Sequence, residues 1–186
     1  GLHLAKSEDG RNWTSLKGDA SFLKPELSRD KLMRDPCIII GGDGLFHMVW
    51  TVSWTEKGIG YASSKDLITW SEQKFIPVMA HEEGVRNCWA PVITYDKKSG
   101  TYMIYWATTI DGRFTETVEP KESNLSHRMY ATTTKDFKTF SPTFLLYDHG
   151  FSVIDSTIIP DGDRFVMFLK DETRSPVAQK NIRVSY

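Results

Sequence analysis

A short polar turn is written three times into this 186-residue sequence. The copies are Leu2-His3-Leu4-Ala5-Lys6-Ser7-Glu8-Asp9-Gly10-Arg11-Asn12-Trp13, Ile59-Gly60-Tyr61-Ala62-Ser63-Ser64-Lys65-Asp66-Leu67-Ile68-Thr69-Trp70 and Arg128-Met129-Tyr130-Ala131-Thr132-Thr133-Thr134-Lys135-Asp136-Phe137-Lys138-Thr139-Phe140. In each, a short strand ends in small hydroxylated residues, an Asp-containing turn reverses the chain, and an aromatic four positions after the Asp anchors the return. A fourth copy begins at Ile182-Arg183-Val184-Ser185-Tyr186.

A second element precedes these turns. Asp35-Pro36-Cys37-Ile38-Ile39-Ile40 leads through Gly41-Gly42-Asp43-Gly44 into Phe46–Thr51, and Ala90–Tyr95 leads through Asp96–Gly100 into Tyr102–Ala107. Asp155–Ile159 leads through Asp161-Gly162 into Phe165–Lys170. Gly-containing turns between β-branched and aromatic runs are hairpin signals, and the apolar runs are too short for helices. Hairpin plus turn makes a four-stranded antiparallel unit of propeller-blade length. The expected fold is an all-β propeller of about three to three and a half blades, with units near 35–74, 90–142 and 153–186, and residues 1–30 contributing to a closing blade. A β-sandwich would not repeat its turns at matching positions. The 12% of aromatic residues suits such β-structure.

Several function classes drop out. Lys plus Arg number 23 and Asp plus Glu 24, a net charge of −1 that gives no electrostatic case for nucleic acid or an anionic membrane. No apolar run approaches the ~20 residues of a spanning helix. Cys37 and Cys88 are too few for a disulfide scaffold, and His47, His127 and His149 are dispersed, so neither a metal site nor a cofactor is expected. The polar linkers 75–87 and 110–127 read as surface loops, the second long enough to invite a functional reading.

Inner propeller strands start beside the central channel, so residues far apart in sequence converge there. Two inner strands begin with an Asp, Asp35 and Asp155, and the third with Trp89-Ala90-Pro91. A carboxylate beside an apolar run is costly unless it is paired or functional. Arg34-Asp35-Pro36, Cys88-Trp89-Ala90-Pro91 and Ile154-Asp155, in this order, resemble glycoside hydrolase family 43, closest to its arabinosidase and xylosidase-like branch. The resemblance implies a five-bladed propeller that hydrolyses arabinose- or xylose-containing glycans with inversion. Asp35 would be the general base that activates water. Asp155 would orient the sugar and raise the pKa of the acid. The family's acid, a Glu usually followed by Gly-Pro, has no counterpart here: Glu82, Glu83 and Glu172 lack its context. The chain therefore reads as a truncated enzyme, inactive by itself, and Val92 stands where relatives carry an acidic residue.

Among lesser candidates, Trp54 and Trp89 are placed to stack on a sugar, and Arg34, Lys170 and Asp171 to hydrogen-bond its hydroxyls, while Arg174 reads as solvated surface charge. Trp13, Trp70 and Phe140 recur in register and are assigned to packing. The expected partner is an oligo- or polysaccharide, with no nucleic acid and no membrane, and unpaired blade edges inviting self-association. Relatives sometimes hold a structural cation in the channel, but no ligands for one are evident. Glycan hydrolysis suggests a secreted or periplasmic setting. Two alternatives compete: a family 32-like fructan hydrolase, which shares Arg-Asp-Pro but lacks its other motifs here, and a non-catalytic carbohydrate-binding propeller.

Overall fold

The repeated turn owes its recurrence to side-chain hydrogen bonds. In the second copy Ser64 Oγ accepts from the Leu67 amide at 2.9 Å and donates to the Thr69 carbonyl at 2.7 Å. Asp66 Oδ1 accepts from the amides of Ile68 (2.9 Å) and Thr69 (2.7 Å). Thr134 and Asp136 repeat every one of these bonds in the third copy. Ser7 and Asp9 repeat the amide-accepting ones in the first. The residue after the Asp is left-handed each time: Gly10 at φ +72°, Leu67 at +65° and Phe137 at +53°. The side-chain bonds thus hold a conformation that a leucine or phenylalanine would otherwise avoid.

The structure is a computed structural model and describes residues 1–119, 123–174 and 176–186. Its strands fall into four antiparallel sheets. A small N-terminal sheet pairs β1 (Ala5–Lys6) with β2 (Thr14–Ser15). The first blade follows in the order β3 (Arg34–Ile40), β4 (Phe46–Thr51), β5 (Ile59–Ser64), β6 (Lys74–Ile76). The second runs β7 (Trp89–Asp96), β8 (Thr101–Thr108), β9 (Arg128–Thr134), β10 (Phe144–Tyr147), and the third β11 (Val153–Asp161), β12 (Arg164–Asp171), β13 (Ile182–Ser185). These are propeller blades of an all-β fold. The return strands start later than the sequence suggests, at Lys74 and Phe144 rather than at the aromatic, and the second blade extends to Tyr147 instead of 142. Trp70 only bridges Ser64, because the turn's own side-chain bonds occupy the residues around it.

The first two blades bury both faces, which explains strands that read as nearly continuous apolar runs. On β8, Ile104 and Trp106 face the first blade and meet Val49, Ile59 and Tyr61. Their neighbours Tyr105 and Ala107 face the third blade and meet Val153, Met167 and Leu169. On β4, Met48 and Trp50 face the N-terminal segment, packing with Leu2, Leu4 and Leu23. Gly60 is needed opposite Trp50, since a Cβ there would lie 2.2 Å from the indole. Of the three aromatics assigned to packing, Phe140 packs on the core between the first two blades and Trp70 on the N-terminal side of the first. Trp13 is 65% exposed and does not pack.

Strand β7 lies between β3 and β11, so the heads of the three inner strands are neighbours. Each carries one extra residue relative to its partner strand, a β-bulge between Arg34 and Cys37, Trp89 and Val92, and Ile154 and Thr157. Bulges of this kind re-aim a side chain at a sheet end.

Candidate active site

The first of the two residues inside each bulge is left-handed: Asp35 at φ +47°, Ala90 at +46° and Asp155 at +53°. The three positions are thus equivalent, and two of them carry carboxylates. The strand opposite supplies a partner at one fixed position, which the register sets as Thr51 against Arg34, Ala107 against Trp89 and Lys170 against Ile154. Thr51 Oγ1 donates to Asp35 Oδ2 at 3.3 Å, and Lys170 Nζ lies 3.6 Å from Asp155 Oδ2. Where the bulge carries a methyl group, the facing residue is also alanine.

Thr51 is 1% exposed and also accepts the Ala90 amide proton at 2.9 Å. Having accepted from the neighbouring blade, the hydroxyl has its proton free for Asp35. One threonine therefore ties the second blade's bulge to the first blade's carboxylate.

The aromatic candidates gather around Trp89. Its indole Nε1 donates to the Trp54 carbonyl at 3.1 Å, and the two rings meet edge to face with centroids 5.8 Å apart. The Arg34 guanidinium lies over the Trp54 ring, 4.6 Å from its centroid. Asp30 holds the Trp54 segment, accepting from Ser53 Oγ (2.6 Å) and the Trp54 amide (3.2 Å), bonds that lower its pKa. On its other side Trp89 is 5.1 Å from the His127 ring.

Beyond Trp89 opens a cleft of about 200 Å³ lined by Trp89, Glu119, His127, Ser152, Lys170 and Glu172. Glu172 pairs with Lys170 at 2.7 Å and with Lys180. Burial alone would raise the Glu172 carboxyl, but hydrogen bonds from the two lysines hold it below its ordinary value. The bond to Glu172 in turn raises Lys170. An acid kept ionised in this way is poorly suited to protonate a leaving group. Glu119 comes from the long 110–127 loop, whose residues 120–122 lie outside the described ones. The loop is fastened by Arg128, which is fully buried, bonds Asp148 at 2.5 Å and Thr117 at 3.0 Å, and lies over Phe114.

His127 is 4% exposed, and its pKa is lowered to about 4 by burial, which outweighs the opposing charge of Glu172 and is reinforced by Arg86, Arg128 and Lys180. Asn87, also fully buried, donates from Nδ2 to His127 Nε2 at 2.8 Å. Burial likewise pushes the Cys88 thiol up to about 12.

Two sequence expectations meet different surroundings. Asp171 is 1% exposed and its carboxylate is spent on Arg183 (2.9 Å) and the Thr173 amide (2.9 Å), so it serves the β12–β13 sheet, not the cleft. Val92 packs on the core between the second and third blades, so the methyl group equivalent to the carboxylates belongs to Ala90. Arg174 is exposed, and its amide donates to Glu119 Oε1 at 2.6 Å. Asp35, Arg34, Trp54 and Trp89 form one contiguous group, and Asp155 with Lys170 borders the adjoining cleft. Thr51, Asp30, Asn87, Glu119 and Glu172 join the site unannounced by motif. Counting the hairpin back from its turn, with one bulge residue, would have found Thr51.

Residues 1–184 match the model of the glycoside hydrolase family 43-related domain, described as a probable glycosyl hydrolase domain. No curated protein sequence matches the chain. Among solved structures it resembles an alpha-L-arabinofuranosidase from Lactobacillus brevis, with TM-score 0.62 and 17% identity over 82% of this chain and 48% of that one. A family 43 protein from Bacillus licheniformis aligns with TM-score 0.54 and 21% identity, over 87% of this chain and 32% of that one. A family 32 glycoside hydrolase from Bifidobacterium adolescentis aligns with TM-score 0.51 and 16% identity, over 80% and 28%. The chain spans half or less of each of these three. Their likeness shows a shared propeller fold, and by the match over nearly its whole length the chain belongs to the glycoside hydrolase family 43-related domains.

Proposed function

We propose that the chain carries the sugar-binding and water-activating part of an inverting glycosidase site for arabinose- or xylose-containing glycans. The observation that carries this reading is the pair of equivalent bulge carboxylates, each backed by a polar residue from the facing strand, where the intervening blade has alanine in both places. Asp35 acts as the base: the Thr51 hydroxyl fixes one carboxylate oxygen and leaves the other for a water. Asp155, held by Lys170, orients the sugar and tunes the leaving-group acid. Trp89 and Trp54 supply apolar ring surface, and Arg34 a hydroxyl donor. Inversion requires base and acid ~6.5–9.5 Å apart on opposite faces of the sugar. Glu172, ion-paired and ionised, does not serve as that acid. The 186-residue chain alone is therefore expected to bind saccharide without appreciable hydrolysis. A glycan substrate fits a secreted or periplasmic setting.

The test uses 4-nitrophenyl α-L-arabinofuranoside and β-D-xyloside. In a length of the protein that turns over either one, Asp35→Asn should lower kcat by ~10²–10⁴ and leave binding nearly unchanged. Undiminished turnover overturns the assignment. Brisk hydrolysis by the 186-residue chain itself would refute the missing acid. The family 32 neighbour motivates a second reading, in which Asp35 stabilises the transition state of fructan cleavage, and hydrolysis of sucrose or inulin would favour it.

A further inference from the structure

His127 is nine-tenths buried, lines the cleft beside Trp89, and among the described residues uses only one of its two ring nitrogens. Which nitrogen carries the proton follows from its neighbour. The Asn87 carbonyl oxygen Oδ1 is committed to the Thr109 amide at 2.9 Å, so the Asn87 NH₂ group faces His127 Nε2 at 2.8 Å. An NH₂ group only donates, so Nε2 must present its lone pair, and the neutral ring then carries its proton on Nδ1. No described residue accepts from Nδ1. The histidine is also kept from charging by burial and by Arg86, Arg128 and Lys180, with Glu172 the opposing carboxylate. The backbone on either side is fastened as well: the His127 amide donates to Ser152 Oγ at 3.0 Å and the His127 carbonyl accepts from Arg128 at 3.1 Å.

We propose that His127 is a specificity-determining residue, an Nδ1–H donor locked by Asn87 and offered to a hydroxyl of a single neutral sugar ring seated on Trp89 in the cleft. The assignment rests on reading the site as saccharide-binding. A donor on a buried ring that has no partner among the described residues depends on water or a ligand for its hydrogen bond, so it rewards a ligand oxygen at that spot. Because Asn87 fixes the tautomer, Nδ1 carries its proton throughout the range in which ordinary histidines titrate. The neighbouring ion pair complements it, with the Glu172 carboxylate accepting and the Lys170 ammonium donating to further hydroxyls.

The experiment is long-range ¹H–¹⁵N spectroscopy of the ¹⁵N-histidine-labelled chain, alone and titrated with L-arabinose, D-xylose and D-galactose, with His127→Phe used to assign the resonance. The expected result is an Nδ1–H tautomer for His127, constant from pH 5 to 8. One of the sugars should shift its Nδ1 resonance. His127→Phe, which keeps the ring against Trp89, should bind that sugar about tenfold more weakly, while His127→Gln, which can still donate, should lose less. Amide spectra of both variants report whether the fold survives. If they do not fold, the tautomer and the sugar-induced shift in the unaltered chain still decide. An Nε2–H tautomer, or protonation near pH 6.5, overturns the lock. Sugar binding with an unmoved His127 resonance overturns the residue's role alone. Failure of all three sugars to bind overturns the saccharide reading and this assignment with it.

Discussion

Asp35 and Asp155 stand on bulges that Ala90 repeats between them, with nearly the same left-handed backbone, yet the three positions meet different surroundings. The two aspartates are exposed, and each is met from the facing strand by a polar side chain. Ala90 is buried, its facing strand offers Ala107 against Trp89, and its amide donates to Thr51 Oγ1. A non-glycine residue with positive φ costs of order 1–3 kcal/mol and often marks a functional site. Here the strained backbone occurs with and without a carboxylate, so it belongs to the way these blades begin. What singles out the site is the matched exchange of two residues, Asp with Thr or Lys in the outer pair and Ala with Ala in the middle.

The most severe way to break this contrast is to remove a carboxylate. Asp35→Asn should cost the ~10²–10⁴ in kcat given above, whereas substitutions at Ala107, its counterpart's neighbour in the middle blade, should act on stability alone. If changes at Ala107 that preserve the fold reduced kcat as strongly, the two kinds of blade would not differ in function.

Acid should expose a second contrast, because the middle blade contributes a neutral base where its neighbours contribute charges. An unfolded histidine titrates near 6.5, but folded His127 titrates near 4. Between these values the unfolded chain binds more protons, so the stabilisation is complete above about pH 6.5 and is lost as pH falls through 4. The loss amounts to roughly 3 kcal/mol by pH 4. Urea unfolding at pH 7 and pH 4.5 would measure it, and His127→Phe should flatten the dependence. An equally steep loss in that variant would assign the effect elsewhere.

Thr51→Val probes the link between the two kinds of blade. The side chain keeps its shape but no longer accepts the Ala90 amide or donates to Asp35. Leaving a buried amide unpaired should cost about 1–2 kcal/mol of stability. The freed carboxylate should lower kcat about tenfold with KM little changed. A change confined to stability would reduce Thr51 to a structural residue.

How much of this was legible in the sequence depended on whether an interaction stayed inside the repeat. The turns at Asp66 and Asp136, the hairpins, and the heads Asp35 and Asp155 are local, and the sequence states them directly. The bulge is different: one extra residue shifts the pairing, so Val92, which stands where the resemblance leads one to expect an acidic residue, turns into the core, and Ala90 takes the position equivalent to the two aspartates. Asp171 misleads for a similar reason. Strand alternation sends Lys170 toward Asp155 and Asp171 to the opposite face, against Arg183. Thr51 with Ala90 and Asn87 with His127 join residues 39 and 40 positions apart through packing that no motif encodes.

The smallest effect isolates the backbone itself. Ala90→Gly removes the Cβ that makes φ +46° costly while leaving the amide bond to Thr51 in place. A left-handed alanine pays about 1–2 kcal/mol that glycine does not, and the greater freedom of glycine in the unfolded chain gives back roughly 0.5–1 kcal/mol. A net gain of about 0.5–1 kcal/mol should appear as a shift in urea midpoint with an unchanged slope. At Asp35 the same replacement should gain less, since aspartate tolerates the left-handed region better than alanine does, and it would also remove the proposed base. If Ala90→Gly destabilised the chain, the alanine methyl would have to contribute packing worth more than the strain, and the middle bulge would have been kept for its side chain after all.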